Sequence, residues 1–195
     1  MQINLPIFGN DKVYPVQPQK IIALGMNYRD HIAEADSLKV KSINTDVPSE
    51  PILFAKTPNV LISNGSPIII PKAMFDYDFD PVRVDYEAEL AFIIKKTASR
   101  LTQSDALDYI LGYTCMNDVS QRNFQSQDKS GWFRGKSLDT FGPIGPQLVY
   151  PEDIGNPQNL NITCRLNGET VQQSNTKYMI FVAKYCFLLF IIILI

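Results

Sequence analysis

The sequence predicts an α+β chain that is mainly β. Short apolar runs recur along it where long amphipathic patterns would mark helices. Two turn signals, Asn64-Gly65 and Asn167-Gly168, each lie between predicted strands. Only two segments have a helical pattern, and both are short. The 195 residues, 45% of them hydrophobic and 19% charged, are ordinary for one globular domain.

The composition excludes several function classes. A formal net charge of −2 provides no electrostatic footprint for nucleic acid. The three cysteines, Cys115, Cys164 and Cys186, are widely spaced, which argues against a disulfide framework or a thiolate zinc site. The N-terminus lacks the basic start and apolar run of a signal peptide. We therefore expect a reducing compartment, with the cytoplasm as the first expectation and a mitochondrial location as the alternative.

The first third of the chain predicts three strands. Residues 1–19, with three prolines, are expected to be an irregular lead-in with one short strand. Residues 20–25 and 51–56 are short apolar runs and are predicted as strands. Residues 68–71 are predicted as a strand that follows the Asn64-Gly65 turn.

A helix is predicted to begin at Asn27, whose side chain can cap it. His31, the only histidine of the chain, and Glu34 are three residues apart and would share one face of this helix. Two interpretations stay open on the pattern alone: an ordinary surface pair or a catalytic dyad. Residues 36–51 are predicted as a polar loop.

Residues 82–94 are predicted as a strand, because apolar and polar side chains alternate from Val82 to Leu90. Glu87 and Glu89 would lie on the same face, roughly 6.6 Å apart. Two ionised carboxylates this close repel each other unless a cation joins them. A solvated strand face and a metal site both fit, but the apolar run at residues 90–94 suggests a strand that enters a core and favours the metal site.

The second half predicts one helix, a strand and a hairpin. Residues 104–112 have a helical pattern with a cap and a glycine stop. Residues 113–119 are predicted as a strand that contains Asp118 near its end, 121–135 as a polar loop and 141–146 as a turn. Residues 160–171 are predicted as a hairpin around Asn167-Gly168.

The last residues, 182–195, form an atypical apolar tail that is wholly apolar from Tyr185 onward. A bilayer span needs about 20 residues, so this tail is too short to cross a membrane. We expect no membrane association despite its composition.

Six segments, taken together and in order, resemble the fumarylacetoacetate hydrolase family. They are residues 24–34, 51–56, 84–90, 112–122, 135–146 and 166–169. The similarity runs from about Ile21 to Phe181, and a run of six such segments is very specific.

The resemblance implies a mixed β-sheet roll with short peripheral helices, usually a homodimer, and a small-molecule 2-oxo acid substrate. Residues 20–181 would be the catalytic domain, incomplete at its end. The family holds one Mg²⁺ or Mn²⁺, and its metal ligands match Glu87, Glu89 and Asp118. Its catalytic residues match His31, Glu34 and Lys136, with His31 and Glu34 on a short lid. Its substrate-binding residues match Arg122 and Gln125.

The implied activity is metal-dependent hydrolysis of a C–C bond in 2,4-dioxo acids of the acylpyruvate and fumarylpyruvate class. Carboxylates suit a hard divalent cation, which polarises a keto acid as a Lewis acid. His31 held by Glu34 would activate water, and Lys136 would stabilise the enolate. Alternatives within the family are oxaloacetate decarboxylation and dienedioate isomerisation.

The resemblance ends near Phe181. The family continues with a Thr-Gly-Thr-Pro turn that contacts the substrate carboxylate, whereas this chain continues with the apolar tail. The further alternative is therefore a catalytically inactive, truncated member of the family.

Overall fold

The computed structural model of the protein describes residues 2–29, 47–97, 101–102, 104–127 and 132–182. Most of the predicted helix, with His31 and Glu34, most of the predicted 36–51 loop and nearly all of the apolar tail lie outside these residues. Asn27, the predicted helix cap, is described, and its side chain binds the backbone N–H and C=O of Phe181 instead.

Strands dominate the described residues, as the sequence predicts. They are β1 Ile3–Pro6, β2 Val13–Val16, β3 Ile21–Gly25, β4 Ile52–Lys56, β5 Leu61–Ser63, β6 Val84–Asp85, β7 Ala88–Ile94, β8 Ile110–Asn117, β9 Ser120–Gln121, β10 Gly142–Val149, β11 Asn161–Leu166 and β12 Glu169–Asn175. The α-helices are short: α1 Arg122–Gln127, α2 Phe133–Lys136 and α3 Pro151–Ile154. Single 3₁₀ turns cover Pro58–Val60, Lys72–Asp76, Ala106–Tyr109 and Thr176–Tyr178. None of the helices in the described part has the length and apolar character that a membrane crossing requires.

A four-stranded mixed sheet lies at the centre, in the order β5-β10-β8-β7. Strand β10 runs parallel to β5 and antiparallel to β8, and β8 runs antiparallel to β7. The β7–β8 register places Ala88 opposite Asn117. Just beyond that pair, the Asp118 amide donates to the Glu87 carbonyl at 2.8 Å. The register therefore brings the two predicted acidic segments together at one end of the sheet.

The N-terminal residues are part of the main core, so the prediction of an irregular lead-in is wrong. Strands β1 and β2 form an antiparallel hairpin. Leu5 on β1 and Val16 on β2 are buried in the same apolar cluster as Leu61 and Ile144 of the central sheet. The prolines are tolerated because proline is accepted at the edge of a sheet, where its missing N–H is not needed.

Two predicted elements are replaced by different ones. The predicted helix at 104–112 is a 3₁₀ turn, Ala106–Tyr109, that leads directly into β8. Gly112 lies inside β8, where a Cβ would come within 2.8 Å of the Val149 carbonyl, so it serves close packing and not a helix end. The predicted turn at 141–146 is the first part of β10.

Residues 68–71 do not form the predicted strand. Ile68, Ile69 and Ile70 are exposed and pair with no strand among the described residues. The Ile69 amide instead donates to the Thr140 hydroxyl at 2.8 Å. The predicted turn at Asn64-Gly65 is present, with the Ser66 amide bonded to the Ser63 carbonyl at 3.1 Å. The three β-branched isoleucines were therefore not enough to predict a strand at residues 68–71.

The remaining strand predictions are confirmed in outline. Strands β3 and β4 pair antiparallel, and β11 and β12 pair around Asn167 and Gly168, at φ 52° and 90°. These positive values suit the type I′ turn that an Asn-Gly pair favours. The predicted 82–94 strand is divided between β6 and β7, and helices α1 and α2 occupy part of the predicted polar loop.

Leu5→Ala is expected to destabilise the chain by about 2–5 kcal/mol because it opens a cavity in the main core. Leu5 is 2% exposed, whereas Val13 on the partner strand is 57% exposed. The matched control Val13→Ala should change the free energy of unfolding by no more than about 0.5 kcal/mol. Urea unfolding measures both. Equal effects would show that the hairpin does not belong to the core.

Candidate active site

Charged side chains meet near the ends of strands β4, β6, β7 and β8 and at the end of the short helix α2. The acidic ones are Glu87, Glu89 and Asp118, called here the carboxylate cluster. Lys56 closes β4, and Lys136 closes α2. The resemblance predicted that the three acids would come together. Lys136 binds both Glu87 and Asp118, and the charges of these two acids raise the pKa of Glu89.

Asp118 binds two buried lysines. The Lys56 ammonium lies 2.5 Å from Oδ1, and the Lys136 ammonium lies 2.7 Å from Oδ2. The side chains of Lys56 and Lys136 are 0% and 2% exposed, respectively. Charges this deeply buried are stable only when paired and hydrogen-bonded. Burial lowers the pKa of Lys56, and the Asp118 carboxylate opposes that shift.

Lys136 bridges two of the acids. Its ammonium donates to Glu87 Oε2 as well as to Asp118 Oδ2. Apolar surface lies beside it, because the Phe54 ring centroid is 5.0 Å from Nζ. Gly135 allows this placement, since a Cβ there would come within 2.7 Å of the Gln121 carbonyl. The absence of a side chain at Gly135 thus lets α2 pack closely enough for the Lys136 ammonium to reach Glu87 and Asp118.

Arg122 and Gln125 also lie together, as predicted, with Nη1 donating to Gln125 Oε1 at 2.8 Å. The guanidinium is held by two acids: Nη2 is 2.7 Å from Asp85 Oδ2 and 2.8 Å from Glu87 Oε1. Burial acts to raise the pKa of Glu87, but the Lys136 and Arg122 cations outweigh it and hold that pKa below its ordinary value. Glu87 is therefore ionised and doubly compensated.

Glu89 is the uncompensated acid. In the described part of the chain its side chain has no hydrogen bond or ion pair. Burial, with the nearby charges of Glu87 and Asp118, raises the pKa of Glu89 to about 8. Counting Asp85, the described site holds one more carboxylate than the cations Lys56, Lys136 and Arg122 can neutralise. A pKa near 8 favours a proton on Glu89 at neutral pH, which would relieve the surplus negative charge.

The donor chemistry of the carboxylate cluster fits a hard divalent cation, which prefers carboxylate oxygens. Among the described residues, however, no three acidic, histidine or cysteine side chains are already arranged around a metal position. The Lys136 ammonium is itself the positive charge that binds Glu87 and Asp118. The surplus charge on Glu89 is what a divalent ion would neutralise. The metal site stays a prediction.

Sequence reasoning missed Lys56 and Asp85 as parts of the site. A lysine that closes the apolar run at 52–55 was a usable signal, because a charge that is carried into a core by such a run needs a partner. Asp85 belongs to the same alternating face as Glu87 and Glu89. His31 and Glu34 lie outside the described residues, so their roles also stay predictions.

Residues 20–186 match a protein family described as fumarylacetoacetate (FAA) hydrolase C-terminal. The chain is 44% identical over 166 residues to the oxaloacetate tautomerase fahd2, mitochondrial, of Xenopus laevis, covering 84% of this chain and 47% of the relative. Other curated relatives are covered to 62% and 53%, so the chain spans about half the length of the curated relatives it matches.

Two solved structures have a similar fold. One is 5-carboxymethyl-2-hydroxymuconate delta-isomerase from Mycobacterium smegmatis, with a TM-score of 0.73 and 30% identity over 90% of this chain and 62% of that one. The other is fumarylacetoacetate hydrolase from Exiguobacterium antarcticum, with a TM-score of 0.71 and 34% identity over 94% of this chain and 62% of that one. These similarities agree with the mixed, mainly β fold.

The stability of the metal-free chain is expected to fall as pH rises from 5 to 8. The pKa of Glu89 is about 8 when folded, against 4.5 for an ordinary glutamate. Between these values the folded chain keeps a proton that the unfolded chain has lost, so raising the pH favours unfolding. The slope from this group is at most about 1.4 kcal/mol per pH unit.

Urea unfolding at several pH values, in the presence of a chelator, measures this effect. Glu89→Gln should lack this part of the decline, whereas Glu152→Gln, at an exposed acid on α3, should keep it. A Glu89→Gln profile parallel to that of the parent chain would contradict the assignment.

Proposed function

The chain belongs to the fumarylacetoacetate hydrolase family, and we therefore propose that it is a divalent-metal-dependent enzyme that tautomerises 2-oxo acids of the oxaloacetate class. The reaction moves a proton from the carbon beside the keto group to the keto oxygen. Because the chain spans about half of its curated relatives, the activity of the whole protein is part of this proposal.

The observation that carries the proposal is the position of the Lys136 ammonium. It is almost fully buried and lies against the Phe54 ring, and two acids orient it. Among the described residues these acids use two of the three N–H donors of the ammonium. The remaining donor can bind an oxygen on which negative charge develops, and in a poorly hydrated site such a bond is strong.

Substrate binding is assigned to Arg122 and Gln125. Arg122 begins α1 and Gln125 lies three residues further along it, and Arg122 is oriented by Asp85 and Glu87. A guanidinium fixed in this way can present a further donor to a carboxylate of the substrate without losing its own orientation. Asp85 is then the residue that sets the direction of Arg122.

The metal is assigned to Glu87, Glu89 and Asp118. When bound, Mg²⁺ or Mn²⁺ would polarise the keto acid as a Lewis acid. The support from this chain is the surplus carboxylate: a divalent cation removes the need for Glu89 to hold a proton. Glu89 would then be ionised at neutral pH.

The proton transfer itself needs a base at the carbon and a donor at the oxygen. We assign the base to His31, oriented by Glu34, on the resemblance alone, since both lie outside the described residues. Lys136 is assigned to the oxygen. An imidazole is suited to this role because its pKa lies near neutral pH.

The tautomerase is preferred over other family reactions because the curated relative at 44% identity is named an oxaloacetate tautomerase. A second candidate is hydrolysis of a C–C bond in 2,4-dioxo acids of the acylpyruvate class. A solved structure at 34% identity is named a fumarylacetoacetate hydrolase, which favours it. Both reactions, like oxaloacetate decarboxylation, pass through an enolate that Lys136 would stabilise.

The relative's name includes a mitochondrial location, which we likewise propose for this chain.

Glu87→Gln is expected to weaken Mg²⁺ binding by more than about tenfold, because it removes one ligand charge and leaves Lys136 with a weaker acceptor. Titration calorimetry of the 195-residue chain measures the affinity. Glu152→Gln serves as the control and should bind Mg²⁺ like the parent chain. Unchanged affinity in Glu87→Gln would remove Glu87 from the metal site.

Lys136→Met is expected to lower kcat for oxaloacetate tautomerisation by about 10²–10³, the effect of losing one donor to a developing oxyanion. The ultraviolet absorbance of the enol form, followed in Mg²⁺, measures the rate. Lys12→Met, at an exposed lysine, is the control.

Acetylpyruvate cleavage and pyruvate release from oxaloacetate should be measured on the same preparation. Faster acetylpyruvate cleavage than tautomerisation would make the hydrolase the better assignment. Full tautomerase activity in Lys136→Met would exclude the proposed role of Lys136.

A further inference from the structure

Gln172 on β12 makes a paired contact with the backbone of Ala88. Its Oε1 accepts from the Ala88 amide at 2.8 Å, and its Nε2 donates to the Ala88 carbonyl at 2.9 Å. Ala88 is the single residue between Glu87 and Glu89. A side chain distant in sequence therefore binds both polar backbone groups at the centre of the carboxylate cluster.

Within the described part of the chain, no strand pairs with β7 on this side, and the contact takes the place of strand pairing. Strand β7 lies at one edge of the four-stranded sheet, with β8 on its other side. At Ala88 the backbone N–H and C=O that face away from β8 bind the Gln172 carboxamide. A carboxamide supplies one acceptor and one donor, as a peptide group of a neighbouring strand would. The β11–β12 hairpin is thereby joined to β7 at this residue, and Tyr86 adds a bond from its hydroxyl to the Val171 carbonyl at 3.3 Å.

A second carboxamide holds the preceding residue. Asn117 Oδ1 accepts from the Glu87 amide at 2.9 Å, and the Asp118 amide donates to the Glu87 carbonyl at 2.8 Å. We call Asn117 and Gln172 the amide clamp. Between them, and with the Asp118 amide, the N–H and C=O groups of Glu87 and Ala88 are all bonded.

We propose that Gln172 is a positioning residue of the carboxylate cluster: by holding the Ala88 backbone it sets the separation and direction of the Glu87 and Glu89 side chains. The inference rests on the metal site of the proposed function. Side chains on either side of one residue turn with its peptide planes, so a loose Ala88 would move both carboxylates. Groups that orient ligands in this way typically affect metal affinity by about 10–100-fold.

The sequence provides a matched control for the test. Gln173 is the neighbouring residue on β12, is exposed, and makes no side-chain hydrogen bond among the described residues. Gln172→Met and Gln173→Met make the same chemical change on opposite faces of one strand. Both side chains keep a similar length, so the hairpin can retain its packing.

Mg²⁺ affinity of the 195-residue chain is measured by calorimetry, and amide hydrogen exchange at Ala88 by NMR in a chelator. Gln172→Met should raise the Kd for Mg²⁺ at least about tenfold and speed Ala88 exchange by a similar factor, while Gln173→Met stays within about twofold of the parent chain. Exchange at Phe92, in the buried part of β7, should not change, and the melting temperature without metal should fall little.

The hydrogen-exchange measurement distinguishes failure of the proposed metal site from failure of the positioning role of Gln172. If the parent chain binds no Mg²⁺, the metal site fails, and Ala88 exchange alone decides whether Gln172 holds this backbone. If Gln172→Met leaves both the Kd and Ala88 exchange unchanged, the positioning role is wrong. A loss of Phe92 protection together with Ala88 protection would identify a general structural role and also overturn it.

Discussion

The buried Asp118 carboxylate is the constraint on which the site depends. Two ammonium groups, from β4 and from α2, reach it inside the protein, where neither charge would be stable alone. This requirement ties the β3–β4 strand pair, the central sheet and the short helices to one point. Apolar packing could tolerate small slides between these elements, but paired buried charges tolerate them poorly. The cluster therefore contributes specificity of arrangement more than net stability.

Among the residues that the structure describes, the charges at this point do not cancel. Lys136 and Arg122 compensate Glu87, while Glu89 is left with burial and like charges around it. A protein selected for stability alone would replace such a residue. Local conflicts of this kind are expected at functional sites, where a ligand supplies what the folded chain lacks. The imbalance supports a cationic ligand independently of the resemblance to any family.

Much of the site was predictable because its signals are local. Alternation around Glu87 predicted that Glu87 and Glu89 lie on one face, and the resemblance added Asp118, which directly follows β8. The exposed run at Ile69 and the strand that begins at Ile110 were misread because pairing partners decide such segments, and partners are not visible in a short window. Lys56 was missed for the same reason: its role depends on Asp118, 62 residues away.

The pairing of β10 has a consequence for the order of folding. This strand binds β5 in parallel, and its Leu148 carbonyl accepts from the amide of Phe8 at 2.8 Å. The N-terminal hairpin and β5 therefore find their partner only when residues 142–149 are available. Contacts that join such distant segments slow folding, because the chain must close long loops before it gains their stabilisation. During synthesis β1 therefore lacks its β10 partner until residues 142–149 have left the ribosome, and we expect its apolar face to be most open to non-native contacts in that interval.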